Sequence, residues 1–284
     1  MTQVAGSTER RLIAGLSLNF QWPGSTARQL SGLVADYDPG GAPMPDSWTI
    51  AVTNGEVSHV SVDAPSRSVS IRAGRKPPPR VLVQEAVTQV LLMSGRLPIH
   101  AALIAPAPTA AGLLLIGDSG RGKSSLVRLA IAGGWSVVSD DLVALHTAVG
   151  SHTVVGGAIR RRLRIVSSQL DEQTRSLGLK MTSLTGLAKT RLDPNALAPG
   201  SFLAEAPIGR LVFLDRATSR SITPISPADA AGRLLSICAP ALAFSKSRLH
   251  FKALADLARQ SDARVANFTR ACLSDPDVLA QISA

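Results

Sequence analysis

A chain of 284 residues has room for one large domain with a small appendage, and for a substantial buried core. With 45% hydrophobic and 18% charged residues, the composition excludes intrinsic disorder, collagen and low-complexity repeats. The net charge of +10 suits an anionic partner, but aromatics make up only 4% and interleave with no basic run, so a base-stacking nucleic-acid binder is not expected.

Residues 1–72 read as short β-type segments separated by turn clusters. Residues 12–20 form one such segment, followed by the loop Tyr37-Asp38-Pro39-Gly40-Gly41. Residues 48–52 and 57–62 flank Asn54-Gly55, a strong hairpin signal, and residues 68–71 close the set. Gly74-Arg75-Lys76-Pro77-Pro78-Pro79 breaks regular structure and reads as a hinge. The expected organisation is an N-terminal β-rich module over residues 1–76 and a second domain over residues 81–284. The second domain opens with a helix, because Val81, Leu82, Glu85, Ala86, Gln89, Val90 and Met93 follow helical spacing up to Gly95 and Pro98.

The apolar runs 99–104 and 113–116 are separated by eight residues containing two prolines, too few for a crossover helix, so the two strands are expected to be antiparallel neighbours. Next comes Gly117-Asp118-Ser119-Gly120-Arg121-Gly122-Lys123-Ser124-Ser125, which fits the phosphate-cradling pattern G-x-x-x-x-G-K-[ST] between a strand and a helix. Its glycines let backbone N–H groups converge, Lys123 reaches the β- and γ-phosphates of ATP, and the Ser124 hydroxyl suits Mg²⁺. A helix over residues 123–132 ends at Gly133-Gly134, and a short strand over 135–139 runs parallel to 113–116 and stops at Asp140-Asp141. Residues 142–146 continue as extended chain. This topology brings Asp140, Asp141 and His100 to the same sheet edge as the phosphate loop.

These segments, with His100-Ala101-Ala102, the loop from Gly117 to Ser125, and Gly133-Gly134-Trp135-Ser136-Val137-Val138-Ser139-Asp140-Asp141, resemble the C-terminal catalytic domain of HPr kinase/phosphorylase. Within that family they look closer to the stand-alone peptide-tailoring kinases, such as lasso-peptide kinases. The resemblance covers about 50 residues. It implies an α/β fold with a mixed sheet and a P-loop, HPr-kinase/PEP-carboxykinase-like, and phosphate transfer to a serine hydroxyl. It further implies Asp140 as the base and Asp141 as the metal-side carboxylate, the reverse order being left open, with His100 orienting the pair.

Ser125 stands where the bifunctional members carry an acidic residue, so the reverse, phosphate-releasing reaction is not expected. The Arg-Gly-Leu-Gly-Ile segment of HPr-directed enzymes is replaced by Ile159-Arg160-Arg161-Arg162-Leu163-Arg164-Ile165, so HPr is not the expected acceptor. Arg161, Arg162, Lys189 and Arg191 are candidates for clamping transferred charge or acidic groups of the acceptor.

Residues 169–198 read as a polar helix-loop region facing the site. Gly209-Arg210-Leu211-Val212-Phe213-Leu214-Asp215 reads as a buried strand ending in Asp. Residues 229–237, 248–257 and 275–282 read as helices covering the sheet, with Ser226-Pro227 and Ser274-Asp275 as starts. No apolar run spans a bilayer, residues 1–11 lack the apolar stretch of a secretory signal, and Cys238 and Cys272 have neither metal-ligand nor disulfide-framework spacing. A cytoplasmic location without membrane contact is expected.

The leading expectation is therefore a Mg²⁺- and ATP-dependent kinase whose partner is a peptide, protein or small-molecule hydroxyl, with homo-oligomerisation left open. One alternative is a P-loop NTPase using Asp215 as the metal carboxylate, although Leu-Ser-Gly-Gly-Gln and Asn-Lys-x-Asp runs are both missing. Another is a nucleotide-sensing module without turnover.

Overall fold

The computed structural model describes residues 7–22, 34–39, 47–54, 58–73, 79–148, 150–170, 172–182, 188–244, 248–269, 271–275 and 277–284. The protein is a mixed α/β structure built on three sheets. No helix among the described residues is long and apolar enough to cross a membrane.

The N-terminal sheet has six strands in the order Asp38–Pro39, Ser7–Ile13, Leu16–Trp22, Trp48–Asn54, Ser68–Ala73, His59–Asp63. The single segment expected over residues 12–20 is two strands. Ala14 and Gly15 take φ of 49° and 76°, positive at both central positions of a two-residue hairpin that pairs Ile13 with Leu16. The hairpin expected at Asn54-Gly55 does not form: Trp48–Asn54 and His59–Asp63 both pair with Ser68–Ala73, the first in parallel and the second antiparallel. The tight connection lies instead beyond Asp63, where Arg67 takes φ of 48° and its N–H bonds the Ala64 carbonyl at 3.1 Å. That local hairpin inserts its second strand where the first had been expected to pair. Gly40, Gly41, Gly55 and residues 74–78 of the expected hinge lie outside the described residues.

Helix Pro79–Met93 packs Leu82, Val83, Ala86, Val87, Val90 and Leu91 into the same core as Phe20, Ile50, Val69 and Ile71 of this sheet. Leu92 belongs instead to the core of the central sheet. The helix stops at Gly95, φ 72°, with the Arg96 N–H returning to the Leu91 carbonyl at 2.8 Å.

The nine-stranded central sheet has two halves that share the long strand Glu205–Arg216. The C-terminal part of that strand pairs in parallel with Gly112–Ile116 on one side and Asp262–Phe268 on the other. Ala101–Ala105 and then Ser136–Ser139 continue beyond Gly112–Ile116, and Ser221–Pro224 lies beyond Asp262–Phe268. The N-terminal part pairs with Val154–Ala158, followed by Val143–Thr147 and Leu97–Ile99. Gly112–Ile116 and Ser136–Ser139 do run in the same direction, but Ala101–Ala105 lies between them, antiparallel to both.

Alternate side chains serve opposite faces of this sheet. Leu103, Leu114 and Phe213 pack with Leu234, Leu254 and Leu257 from helices Pro227–Phe244 and Arg248–Gln260. Ile104, Leu115 and Val212 pack with Leu126, Val127 and Ile282 from helices Lys123–Ala132 and Asp277–Ser283. Strand Asp262–Phe268 was not anticipated from the sequence. Residues 169–198, expected as helix and loop, instead contribute to a three-stranded antiparallel sheet in the order Leu163–Val166, Ala188–Leu192, Leu179–Thr182, with two short helices, Glu172–Ser176 and Pro194–Leu197. Burial of Leu163, Ile165, Thr190 and Leu192 on one face explains the strands. Four- and five-residue strands are too short for the alternation to stand out in sequence.

The tip of the first hairpin docks the N-terminal sheet onto the central one. The Ala14 N–H donates to the Ala158 carbonyl at 2.8 Å, and the Ala14 carbonyl accepts from Arg96 Nε at 2.7 Å. A Cβ added at Gly157 would lie 3.0 Å from both the Cα and the Cβ of Ala14. Gly157→Val is therefore expected to push this contact apart and to destabilise the whole chain by about 1–3 kcal/mol. Denaturant unfolding is the check.

Candidate functional site: a glycine-rich loop beside a buried carboxylate pair

Strand Gly112–Ile116 runs directly into Gly117, where an added Cβ would meet the Leu214 carbonyl oxygen at 2.8 Å. Gly120 and Gly122 take φ of 82° and 105°, conformations that side-chain-bearing residues rarely adopt. Helix Lys123–Ala132 then begins with no side-chain cap and no acidic residue in its first turn. Its leading N–H groups and positive dipole end thus remain for an anion.

The Lys123 side chain is buried against this loop. Its ammonium donates to the carbonyls of Gly117 and Asp118 and, at 3.2 Å, to His100 Nε2. Burial pulls the Lys123 pKa down, against the opposing attraction of Asp141, Asp118 and Asp140.

His100 owes its position to a break in what the sequence suggested was one strand. Leu97–Ile99 pairs with Val143–Thr147, whereas Ala101–Ala105 pairs with Gly112–Ile116, and His100 lies at the change of partner. An ammonium can only donate, so His100 Nε2 accepts from Lys123, and the imidazole proton belongs on Nδ1, which faces Asp141 Oδ1 at 3.1 Å. Asp141 Oδ2 accepts from Arg160 Nη1 at 2.9 Å. Lys123, His100, Asp141 and Arg160 therefore form one continuous chain of contacts.

The bend carrying the carboxylates is fixed locally by Ser139. Its hydroxyl donates to the Leu142 carbonyl at 2.8 Å and accepts from the N–H groups of Asp141 and Leu142 at 3.4 and 3.2 Å. Asp140 is 4% exposed, and its Oδ2 accepts the Arg164 backbone N–H at 2.8 Å. Burial first, then the neighbouring Asp141 charge, push the Asp140 pKa up to about 6, against the Arg164 N–H and the positive charges of Arg164 and Lys189. Burial also acts to raise Asp141, but the His100 hydrogen bond and the charges of Arg160 and Arg164 outweigh it and hold that carboxyl well below the usual range. The two neighbours are thereby pushed apart: one stays ionised, and the other titrates near neutrality.

These groups share a cavity of ≈ 940 Å³. It is lined by His100, the loop from Ser119 to Ser125, Arg128, Asp140, Asp141, Val166, Lys189, Arg216, Ala217, Thr218, Phe268, Thr269 and Leu273. Among the described residues no group of three or more His, Cys, Asp or Glu side chains is assembled to hold a metal ion. Ser124 and Asp141 on one cavity fit a divalent ion that takes its other ligands from polyphosphate and water.

Of the four basic residues singled out in the sequence as a clamp, the structure brings Lys189 to the cavity and not Arg161, Arg162 or Arg191. Arg161 pairs with Asp193 at 3.3 Å and lies over the Phe202 ring, while Arg191 pairs with Asp36 at 2.8 Å. Asp215, the alternative metal carboxylate, is about half exposed, pairs with Arg121 at 3.2 Å and does not line the cavity.

Sequence reasoning missed Arg160, Arg164, Arg128, Arg216 and Asp36. Alternation around Leu163 and Ile165 signals that Arg164 shares no face with the core, but nothing in the Arg160-Arg161-Arg162 run marks Arg160 as the one that reaches Asp141.

No family model and no curated protein matches the chain. Among solved structures, the Hpr(Ser) kinase/phosphatase from Coxiella burnetii aligns with 66% of this chain and 93% of its own, at 12% identity and a TM-score of 0.35, a likeness too slight to build on.

Asp140 supplies a pH test of the site. Its pKa is raised in the folded state, so between about pH 4, where an unfolded Asp titrates, and about pH 6 the native protein binds more protons. Stability on this account falls as pH rises through that window. Asp140→Asn, which keeps an acceptor for the Arg164 N–H, is expected to melt a few degrees higher than the parent above pH 6, with the difference closing toward pH 4. Melting curves across that range check it.

Proposed function

We propose that the chain is a Mg·ATP-dependent kinase that transfers the γ-phosphoryl group to a Ser or Thr hydroxyl of a peptide or protein. The supporting observation is a buried carboxyl, Asp140, raised toward neutral pH on the same cavity as an uncapped glycine-rich helix start. A general base works best with a pKa near the operating pH. Asp140 Oδ2 is engaged by the Arg164 N–H, which leaves Oδ1 to take the proton of the acceptor hydroxyl. As the hydroxyl oxygen of the acceptor bonds to the γ-phosphorus, the bond from that phosphorus to the β–γ bridging oxygen breaks and ADP leaves.

Lys123 and the first-turn N–H groups hold the phosphates, and Arg128 and Arg216, on the same cavity, oppose charge that spreads over the transferred group. His100 keeps Asp141 ionised and oriented while touching Lys123. A divalent ion held by Ser124 and Asp141 would neutralise the polyphosphate. Lys189 beside Asp140 favours an acceptor with its own carboxylate nearby, as in a serine close to the carboxyl end of a peptide. The three-stranded sheet and the N-terminal sheet are the elements available to cover the site against water. Within this proposal the protein works in a reducing compartment such as the cytoplasm, and nucleic acid is not a partner. Cys238 and Cys272 are both free thiols.

Asp140→Asn, Asp141→Asn, Asp215→Asn and Lys123→Ala, assayed together for ATP hydrolysis and for peptide phosphorylation by mass spectrometry, separate the readings. Transfer is expected to fall by about 10²-fold or more in the first two and to vanish in Lys123→Ala, while Asp215→Asn stays active. Inactive but folded Asp215→Asn beside active Asp140 and Asp141 variants would establish the NTPase reading instead. Parent activity is expected to decline as pH drops below about 6, where Asp140 becomes protonated, and to weaken as salt screens the basic cavity.

A further inference from the structure

Arg164 and Arg191 are directly opposed in the three-stranded sheet, a placement in which like charges repel. Both side chains are only 21% exposed, so water does little to relieve them. The group between them comes from far away in sequence. Asp36, 2% exposed, accepts from Arg191 Nη1 at 2.8 Å on Oδ1 and from Arg164 Nη2 on Oδ2, and its backbone carbonyl accepts the Arg161 N–H at 2.8 Å. The adjacent Tyr37 is buried in the N-terminal core and stacks on Phe20 with ring centroids 6.1 Å apart. One residue of the turn before the edge strand Asp38–Pro39 thus grips three points of the chain beyond Val154–Ala158.

That stretch of chain also completes the carboxylate site. Arg160 reaches Asp141, and Arg164 gives its backbone N–H to Asp140 while giving its guanidinium to Asp36. Two bonds from one residue, to Asp36 and to Asp140, share a single Cα, so movement at one end is felt at the other. Without the Asp36 charge, the Arg164 and Arg191 guanidiniums would be left half-buried and uncompensated. The nearest anions for Arg164 are then Asp140 and Asp141, whose charges it already feels.

We propose that Asp36 is a positioning residue for the carboxylate pair: it holds residues 160–164 in the register that brings Arg160 to Asp141 and the Arg164 N–H to Asp140. Asp36 does not line the cavity, so it acts through that turn and not through substrate. The effect on turnover rests on the kinase reading, whereas the holding of the turn does not.

The test uses the full chain with Asp36→Asn, Asp36→Ala and Asp36→Glu. Hydrogen exchange is followed in peptides covering residues 159–164 and 117–125, and ADP release from Mg·ATP is measured with a pool of Ser-containing peptides. In Asp36→Asn, exchange at 159–164 is expected to rise about tenfold with 117–125 unchanged. There kcat is expected to fall by roughly 10- to 100-fold with KM for ATP within about twofold. Asp36→Glu, which restores the charge, is expected to recover part of kcat. If Asp36→Ala fails to fold, the near-isosteric Asn variant and the charge-keeping Glu variant carry the test.

Unchanged exchange at 159–164 overturns the proposal, and so does a lowered melting temperature with unchanged kcat. If the parent protein turns over no ATP with any peptide, the kinase reading falls, and the exchange result alone decides whether Asp36 holds the turn.

Discussion

Two successive carboxylates at the end of a buried strand repel each other, and unequal compensation decides which of them keeps its charge more firmly. Asp141 has a cation on one oxygen, Arg160, and an imidazole N–H on the other, whereas Asp140 has a backbone N–H and the more distant charges of Arg164 and Lys189. Burial acts to raise both, and this inequality holds Asp141 down while Asp140, beside the Asp141 charge, rises. Most of what surrounds the site follows from it: the turn that delivers Arg160 and the Arg164 N–H, the strand break that delivers His100, and the Ser139 turn that holds both Asp residues. Removing Arg160 or Asp141 costs more than breaking a surface pair would, because the partner left behind stays buried without its countercharge.

The sheet supplies the geometry at little additional expense. Gly112–Ile116 and Ser136–Ser139 end at the same edge because both are antiparallel to Ala101–Ala105 between them. The chain entering Ala101–Ala105 begins at that same edge and brings His100 there. A strand inserted between the two arms of a β-loop-helix-β unit thus places an imidazole between Lys123 of the glycine-rich loop and the acidic pair. Alternation along these strands leaves their apolar residues to two separate cores, so the polar residues at the strand ends are not called on to fill either.

What the sequence made legible was local. The glycine-rich loop has its glycines where φ or close approach demands them, and helix Lys123–Ala132 ends at Gly133 as its composition indicates. Eight residues with two prolines identified an antiparallel neighbour correctly, because chain length alone forbade a crossover. What was not legible depended on competition or distance. Asn54-Gly55 is a good turn sequence, but the connection between Asp63 and Ser68 takes the pairing, and single-chain pattern reading has no means to rank the two. The polar appearance of residues 169–198 concealed short strands with one buried face. The pairing of Asp36 with Arg164 and Arg191 spans well over a hundred residues and carries no periodic signal at all.

The distribution of these countercharges bears on what the N-terminal sheet is for. A sheet serving only as a cover would bury apolar surface against its neighbour and leave the ionic network to the other side. Here the hairpin tip at Ala14 bonds the Ala158 carbonyl through its N–H and accepts from Arg96 Nε on its own carbonyl, helix Pro79–Met93 divides its apolar residues between two cores, and Asp36 supplies the anion that two opposed arginines require. Each feature ties the N-terminal sheet to the strands nearest the carboxylates, and the last is electrostatic, so it acts at the point where the charge balance of the site is set. Asp140 stays buried at a cost in stability because the surrounding cations are committed in part to Asp36 and Asp141 and do not all gather on it. A chain that concentrated those cations on Asp140 would be more stable and would hold a carboxyl that stays ionised at lower pH.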